Sequence, residues 1–505
     1  MSQLSKSELI ELVLGEQDIR QQLDEMYKDL QEEVIVLKGQ YVRIKNKVFL
    51  PSSEKKKRRR SNGSSKNAND AGEVGGTRDQ LPSERYSNAE IIDKDIELAK
   101  LPSCPCCSET MQDSGLTEVT ETLTVIPKQY VITRHHIHKY RCSNCYGPMV
   151  SAPRLPRIKP GSTYSDAMII DVALSKYCDL IPIELYRSMA ARHSGLDRLP
   201  AQSLIELTHY LAEFLQEVYA LIKQEILQAR YLRADETPHK MLEGDAKRNW
   251  YLWGFSTNIA CYFEIHDNRA GKVASQILKQ SECEYLLTDV YSGYAKAIKE
   301  ANYKREKTEK PLIQNPNCNA HARRYFREMT DSDLGEHFVD EYAEIYTIEA
   351  EVKKCEPKEK LQKRSEMASI FSDMKLKAEN HLECYSSKSS ESKALKYFIK
   401  NFDNLTLFLD NAEIDIDNNG QESLFRSPVV GRKVWAGTHS KRGAKTAATL
   451  FSIVESCKMN QLSPRQYLEK LIEDMHSGKP AYTPATAAMS LQKHGTYKSG
   501  DSPTS

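Results

Sequence analysis

The chain lacks any long apolar run: no window comes near about 18 uninterrupted apolar residues, the length a membrane-spanning helix needs. Its opening stretch, MSQLSKSELIELVLGEQDIR, carries acids and bases where a secretory signal needs an apolar core, so a cytosolic location is expected. An excess of one charge is missing too. Seventy-one basic against 70 acidic side chains leave +1, which argues neither for nor against a nucleic-acid partner, so the distribution of charge matters more than the sum. Glycine (22) and proline (20) are too few for a collagen or a mucin. What is there, 40% hydrophobic and 28% charged residues, is the composition of a soluble globular protein. A length of 505 residues predicts several domain-sized modules of roughly 100–200 residues or fewer.

Twelve cysteines without a secretion signal point to metal ligation before disulfides. Cys104 and Cys107 form one Cys-x-x-Cys knuckle, Cys142 and Cys145 another, and TLTVIPKQYVITRHHIHKYR between them has the composition of two short strands. Residues 99–150 are therefore expected to be a zinc ribbon, each knuckle giving two thiolates to a tetrahedral Zn²⁺. Free buried cysteines are the alternative, and His135, His136 and His138 are expected on a strand surface. From Thr122 to Ser165 there is no acid, while Lys128, Arg134, Lys139, Arg141, Arg154, Arg157 and Lys159 supply a positive field that favours a polyanion.

Upstream, Leu9, Leu23, Leu30, Leu37 and Ile44 recur at multiples of seven beside a second seam of Leu12, Ile19 and Met26. A coiled-coil helix over residues 1–46 is expected, self-associating or docked on the rest of the chain. Residues 47–98, with EKKKRRR and then SNGSSKNANDAGEVGG, read as a basic disordered linker. Residues 151–230 read as helical. Leu204, Leu207, Leu211, Leu215, Val218, Ile222 and Ile226 mark one face of a long helix, and a helix-turn-helix-like DNA-binding domain is one reading, plain packing the other.

The pattern then changes. RYLRAD, NWYLWGFS and ACYFEIHD read as strands, RAGKVASQILKQ as a helix, EYLLTD as a strand, YAKAIKE as a helix, PLIQN as a fifth strand, and Ala320–Met329 as a helix. That chain order is the order of a ribonuclease H-like mixed α/β core, in which the first and fourth strands are neighbours. Asp235 and Asp289 end those two strands and would meet at one sheet edge. Paired carboxylates repel unless a hard divalent cation lies between them, Mg²⁺ or Mn²⁺, and a third is expected from Glu422, near the start of a helix that Asp417 and Asn418 would cap. The expected core spans 231–330 and 413–475, interrupted by a charged helical insertion at 331–412 and followed by a disordered tail at 476–505. From Ser423 to Val454 there is again no acid, but Arg426, Arg432, Lys433, Lys441, Arg442 and Lys445 are present. With Arg323 and Arg324 of CNAHARRYF, they are the candidate DNA-phosphate contacts.

In order, the CPCC…CSNC ribbon, RADETP, LTDVYSGY, CNAHARRYF and DNNGQESLFRSPVVGRKVWAGT resemble the transposases of the insertion-sequence-sixty-six family, from residue 52 to about Met475. The resemblance implies an Asp-Asp-Glu DNA transposase, with Asp235, Asp289 and Glu422 as the triad. It implies two-metal chemistry that cuts the 3′ strand at each insertion-sequence end and transfers it to target DNA. It also implies DNA partners (terminal repeats and target), a homodimer or higher oligomer, small accessory proteins of the same element, and a bacterial cytoplasmic protein that joins the nucleoid when bound. Asn319 stands where the family usually has Trp, and Gly420-Gln421 where it has small apolar residues. Two alternatives remain: a catalytically silent DNA-binding protein or repressor, and a nuclease or resolvase that only hydrolyses. Glu236, beside Asp235, is an alternative ligand.

Overall fold

The computed structural model describes residues 81–86, 90–94, 106–110, 119–125, 128–144, 148–196, 199–242, 249–329, 332–353 and 355–493. The heptad segment, the run Lys55–Arg60, Cys104, Cys145 and the last residues of the tail lie outside them. The chain divides into two compact units at Pro127. In the first, the short helix α1 (Pro82–Arg85) is held by Glu121, whose carboxylate accepts from the N–H and the hydroxyl of Ser83, both at 2.8 Å.

The second unit opens with a two-stranded antiparallel hairpin, β1 (Lys139–Tyr140) and β2 (Val150–Ser151), with Cys142 in its loop. Of the two strands expected between the knuckles, only this short one is regular among the described residues; residues 131–138 carry no ladder, and the three histidines there are exposed. Four helices follow: α2 (Asp166–Tyr177), α3 (Ile183–Ser194), α4 (Ala201–Phe214) and α5 (Gln216–Gln228). Ser165 caps α2 by accepting from the Met168 N–H. The long helix expected over 204–226 is broken at Leu215 (ψ 14°), and the Gln216 amide donates to the carbonyl of Ala212 at 2.7 Å across the break. All seven apolar residues of the stripe stay buried, so packing accounts for it.

The sheet comprises β3 (Tyr231–Lys240), β4 (Asn249–Ser256), β5 (Cys261–His266) and β6 (Tyr285–Leu287) in the order β5-β4-β3-β6. The first three are antiparallel neighbours, and β6 runs parallel to β3 with Arg233 opposite Leu287. Helix α6 (Lys272–Gln280) precedes β6, and α7 (Ser292–Glu306) comes after it. The expected fifth strand is not a regular strand. Only the bridges Tyr285–Gln314 and Thr288–Asn317 lay this segment parallel to β6, because Pro311 and Pro316 have no N–H to give a ladder.

Beyond it come α8 (Asn319–Arg327), then α9 (Asp333–Val352), α10 (Pro357–Leu382) and α11 (Ser390–Asp410), which build a second core around Phe326, Phe338, Tyr342, Phe371 and Phe398. Asn319 joins this core to the segment after α11. Its buried amide donates to the carbonyls of Leu405 and Ile416 and accepts from the Tyr342 hydroxyl, contacts that a Trp could not reproduce.

The chain returns to the sheet through α12 (Asn419–Leu424) and α13 (Arg426–Trp435). It then enters α14 (Lys441–Met459), buried from Thr446 to Cys457, succeeded by α15 (Pro464–His476) and by α16 (Pro484–Lys493), a helix inside the stretch expected to be a disordered tail. Helix α14 covers the free edge of β5: Ser452 and Ser456 accept from the N–H groups of Phe263 and Cys261 at 2.8 and 2.9 Å. Side chains thus satisfy an edge that would otherwise offer itself to another strand. Among the described residues no helix is long and apolar enough to cross a membrane.

Candidate metal-binding carboxylate site

The parallel register sets the site. Arg233 and Leu287 are the last pair of the β3–β6 ladder; Asp289 stands two residues on, just past the end of β6, whereas Asp235, expected to end its strand, stands inside β3, which runs on to Lys240 paired with β4. Adjacent strands lie about 4.8 Å apart, so the two acids come side by side where β6 stops. Glu422 comes to them on α12, which is anchored by Asn418. The buried Asn418 amide donates to the carbonyl of Ala234 at 3.0 Å, and its N–H donates to the Cys318 thiol sulfur. Asn418 occupies the N-cap position without capping through its side chain. Asp417, one residue earlier, accepts from the Asn419 N–H at 3.0 Å instead.

Burial first, then the charges of Glu236, Asp289 and Glu422, push the Asp235 carboxyl up to about 8. Its Oδ1 accepts from the Glu236 N–H at 2.8 Å, and Asp289 Oδ1 accepts from the Tyr291 N–H at 3.1 Å. His321 of α8 stands with Nε2 3.9 Å from Glu422 Oε1. Among the described residues none of the three acids has a Lys or Arg within ion-pair distance, and no three His, Cys, Asp or Glu side chains close into a tight ligand cage. Three hard oxygen donors, of which Asp289 and Glu422 raise the charge cost of Asp235, with no fixed cation beside them, have the chemistry that suits a divalent cation such as Mg²⁺ or Mn²⁺.

Glu236 faces the other way, as strand alternation requires. Its carboxylate is taken by Arg269 and by the Tyr294 hydroxyl, the latter at 2.7 Å. Sequence reading misses these partners, and no local signal marks them.

The basic candidates divide into three groups. Arg324, Arg426, Lys433, Lys441 and Lys445 are exposed, as are Arg134, Lys139 and Arg141. Arg432 is half-buried with Nη1 3.5 Å from the Thr237 hydroxyl, and the half-buried Arg323 lies 5.7 Å from the Tyr346 ring centroid. Two are neutralised within the fold. Arg442 pairs with Glu206 and Glu213 of α4 at 2.8 and 2.7 Å, and Lys128 pairs with Asp171, which also holds Arg465. Of the four zinc-ligand candidates, Cys107 and Cys142 are exposed, one in each unit.

Residues 161–446, more than half of the chain, match a family model described as "Transposase IS66 family", and residues 102–146, which contain both knuckles, match "zinc-finger binding domain of transposase IS66". The chain is also similar to curated proteins of Sinorhizobium fredii. It is 23% identical to the uncharacterized protein y4hP over 396 residues (73% of this chain, 70% of that protein). It is 25% identical to the uncharacterized protein y4jD over 388 residues (74% and 75%).

Proposed function

The chain belongs to the IS66 family of transposases, and from that premise we propose that it cuts and joins DNA with Asp235, Asp289 and Glu422 as its catalytic acids. The observation that carries the reading is the β3–β6 register, which supports Asp235 on β3 lying beside Asp289 just past β6. The sheet order, with residues 311–317 beside β6, supports a ribonuclease H-like core built from 231–330 and 413–475, with the helices of 331–412 inserted.

In this reading the three carboxylates hold Mg²⁺ or Mn²⁺. When bound, such a cation polarises the scissile phosphodiester and acidifies the attacking water or 3′ hydroxyl. Asn418 keeps Glu422 against β3. The exposed Arg324, Arg426, Lys433, Lys441 and Lys445 grip backbone phosphates and so set the position of the DNA without reading its sequence. Cys104, Cys107, Cys142 and Cys145 hold a structural Zn²⁺; the match over residues 102–146 supports this. Residues 1–46 pair two copies of the chain, bringing two element ends together. The protein works on DNA in the bacterial cytoplasm.

The test is a cleavage and strand-transfer assay on DNA carrying the element's ends with Mg²⁺ or Mn²⁺. Wild type is expected to cut and join, while Asp235→Asn and Glu422→Gln bind the ends and do neither. Binding without cleavage by the wild type, with accessory proteins supplied, would favour a silent DNA-binding protein.

A further inference from the structure

The β3–β6 ladder ends at Arg233 and Leu287, two residues short of Asp235 and Asp289, so it brings the two acids near each other without itself fixing their separation. A run of side chains fixes it. Glu236, whose side chain is 1% exposed, accepts on Oε1 from Arg269 Nε at 2.7 Å and pairs there with Nη2 at 2.6 Å; its Oε2 accepts from the Tyr294 hydroxyl at 2.7 Å. The Arg269 guanidinium lies 4.0 Å from the centroid of the Tyr291 ring, and the Tyr291 hydroxyl donates back to the Arg269 carbonyl at 3.0 Å. Tyr291 in turn donates its N–H to Asp289, as Glu236 donates its N–H to Asp235. The contacts therefore run unbroken from one acid to the other through Glu236, Arg269 and Tyr291. Tyr294 is fixed behind them by edge contacts with the rings of Trp253 and Tyr291, at 5.8 and 6.1 Å between centroids.

We propose that Arg269 and Tyr294 are positioning residues that, by clamping Glu236, hold Asp235 and Asp289 at the separation a divalent cation requires. This rests on the proposed role of the three carboxylates as metal ligands. An apolar residue at position 236 would fill the same space with less desolvation cost. What the Glu-Arg-Tyr set adds is direction: two donors on one oxygen and one on the other leave the Glu236 carboxylate a single orientation. Groups that orient metal ligands without touching the metal commonly change affinity or activity about 10- to 100-fold when altered.

The experiment measures Mn²⁺ binding by the loss of the free-ion paramagnetic resonance signal. It uses the full chain with DNA carrying the element's ends, at a temperature where every variant is folded. Arg269→Lys keeps the charge and loses the fork; Tyr294→Phe keeps the ring and loses the donor. Both are expected to bind Mn²⁺ about tenfold or more weakly. The Mn²⁺ concentration for half-maximal cleavage should rise in step, and saturating Mn²⁺ should restore most of the rate. Arg230→Lys, in a surface ion pair with Glu284, should change neither value. Wild-type Mn²⁺ affinity in both clamp variants, even with lowered melting temperatures, would overturn the clamp and leave the proposed function standing, provided Asp235→Asn abolishes binding. Failure of the wild type itself to bind Mn²⁺ would overturn both.

Discussion

Gly254 on β4 lies directly beneath Gln421 of α12: a Cβ at residue 254 would stand 2.4 Å from Gln421 Nε2, 2.7 Å from the ring of Phe425 and 2.9 Å from the ring of Phe263. The helix carrying Glu422 is thus pressed against the sheet at a point where only glycine leaves room. Two of the three obstructing groups are ring atoms in the core, which cannot swing aside as a flexible chain end can. Gly254→Ala should destabilise the protein by about 1–3 kcal/mol, as overpacking does. It should also lower cleavage more than end binding, because α12 is displaced while the exposed bases are untouched. Denaturant melts and a gel-shift assay run beside the cleavage assay would check both parts; unchanged cleavage would mean that α12 is not seated as described.

Gln421 itself is fully buried, and neither atom of its amide has a hydrogen-bond partner among the described residues. A buried polar group left unpaired costs about 1–3 kcal/mol. Gln421→Met keeps the length and removes the polar atoms, so the variant should melt higher than wild type and still cleave. Higher stability with lost cleavage would show that the amide serves the site, and lower stability would contradict the packing altogether.

Arg364 of α10 is the second test of packing, this time in the helical insertion. Its guanidinium is 0% exposed, pairs with Glu349 through two bonds of 2.9 and 2.5 Å, and donates to the carbonyls of Phe408 and Asn411. Arg364→Met leaves Glu349 charged and alone in the core, a change expected to cost about 3–5 kcal/mol. Arg364→Met with Glu349→Leu should recover much of that loss. Equal losses in the single and double variants, read by urea denaturation, would mean that the cost is only one of lost packing.

The strands from 231 to 287 are legible in the sequence because their β-branched and aromatic runs are bounded by turns and helical stretches, and Asp289 follows the end of its run; Asp235, expected to end its strand, lies within β3, which continues through Pro238 to Lys240. Glu422 is found from a cap signal of Asp417 with Asn418, of which only the Asp417 side chain accepts from an N–H of the helix. Long-range pairing is not legible. The partners of Glu236 are 33 and 58 residues away, and nothing in RADETP names them. The acid-free stretch from Ser423 to Val454 reads as a phosphate-binding field throughout. From Thr446 to Val454, however, acids are absent because the segment is the buried part of α14, where an unpaired carboxylate would be costly; Glu455, the next residue, is buried but paired with Lys458. The same reading counts Arg442 as free for DNA, since Glu206 and Glu213 on α4, its ion-pair partners, cannot be seen from its neighbours in the chain.

His239 gives the protein a pH dependence of known sign. It lies on β3, four residues beyond Asp235, buried, with Nε2 3.1 Å from the Thr438 hydroxyl. Burial and the nearby Arg432 charge push its imidazole down to about 4. In the unfolded chain a histidine titrates at about 6.5. Protons therefore bind the unfolded chain first: this contribution to stability is complete above about pH 6.5, falls as the pH drops towards 4, and changes little below that. The difference amounts to about 3 kcal/mol at most. Urea denaturation of wild type and His239→Gln between pH 4 and 7.5 isolates the effect, since the amide can still bond Thr438 and does not titrate. The wild type should lose stability across that window more steeply than the variant; parallel curves would mean that the imidazole is protonated as readily in the fold as outside it.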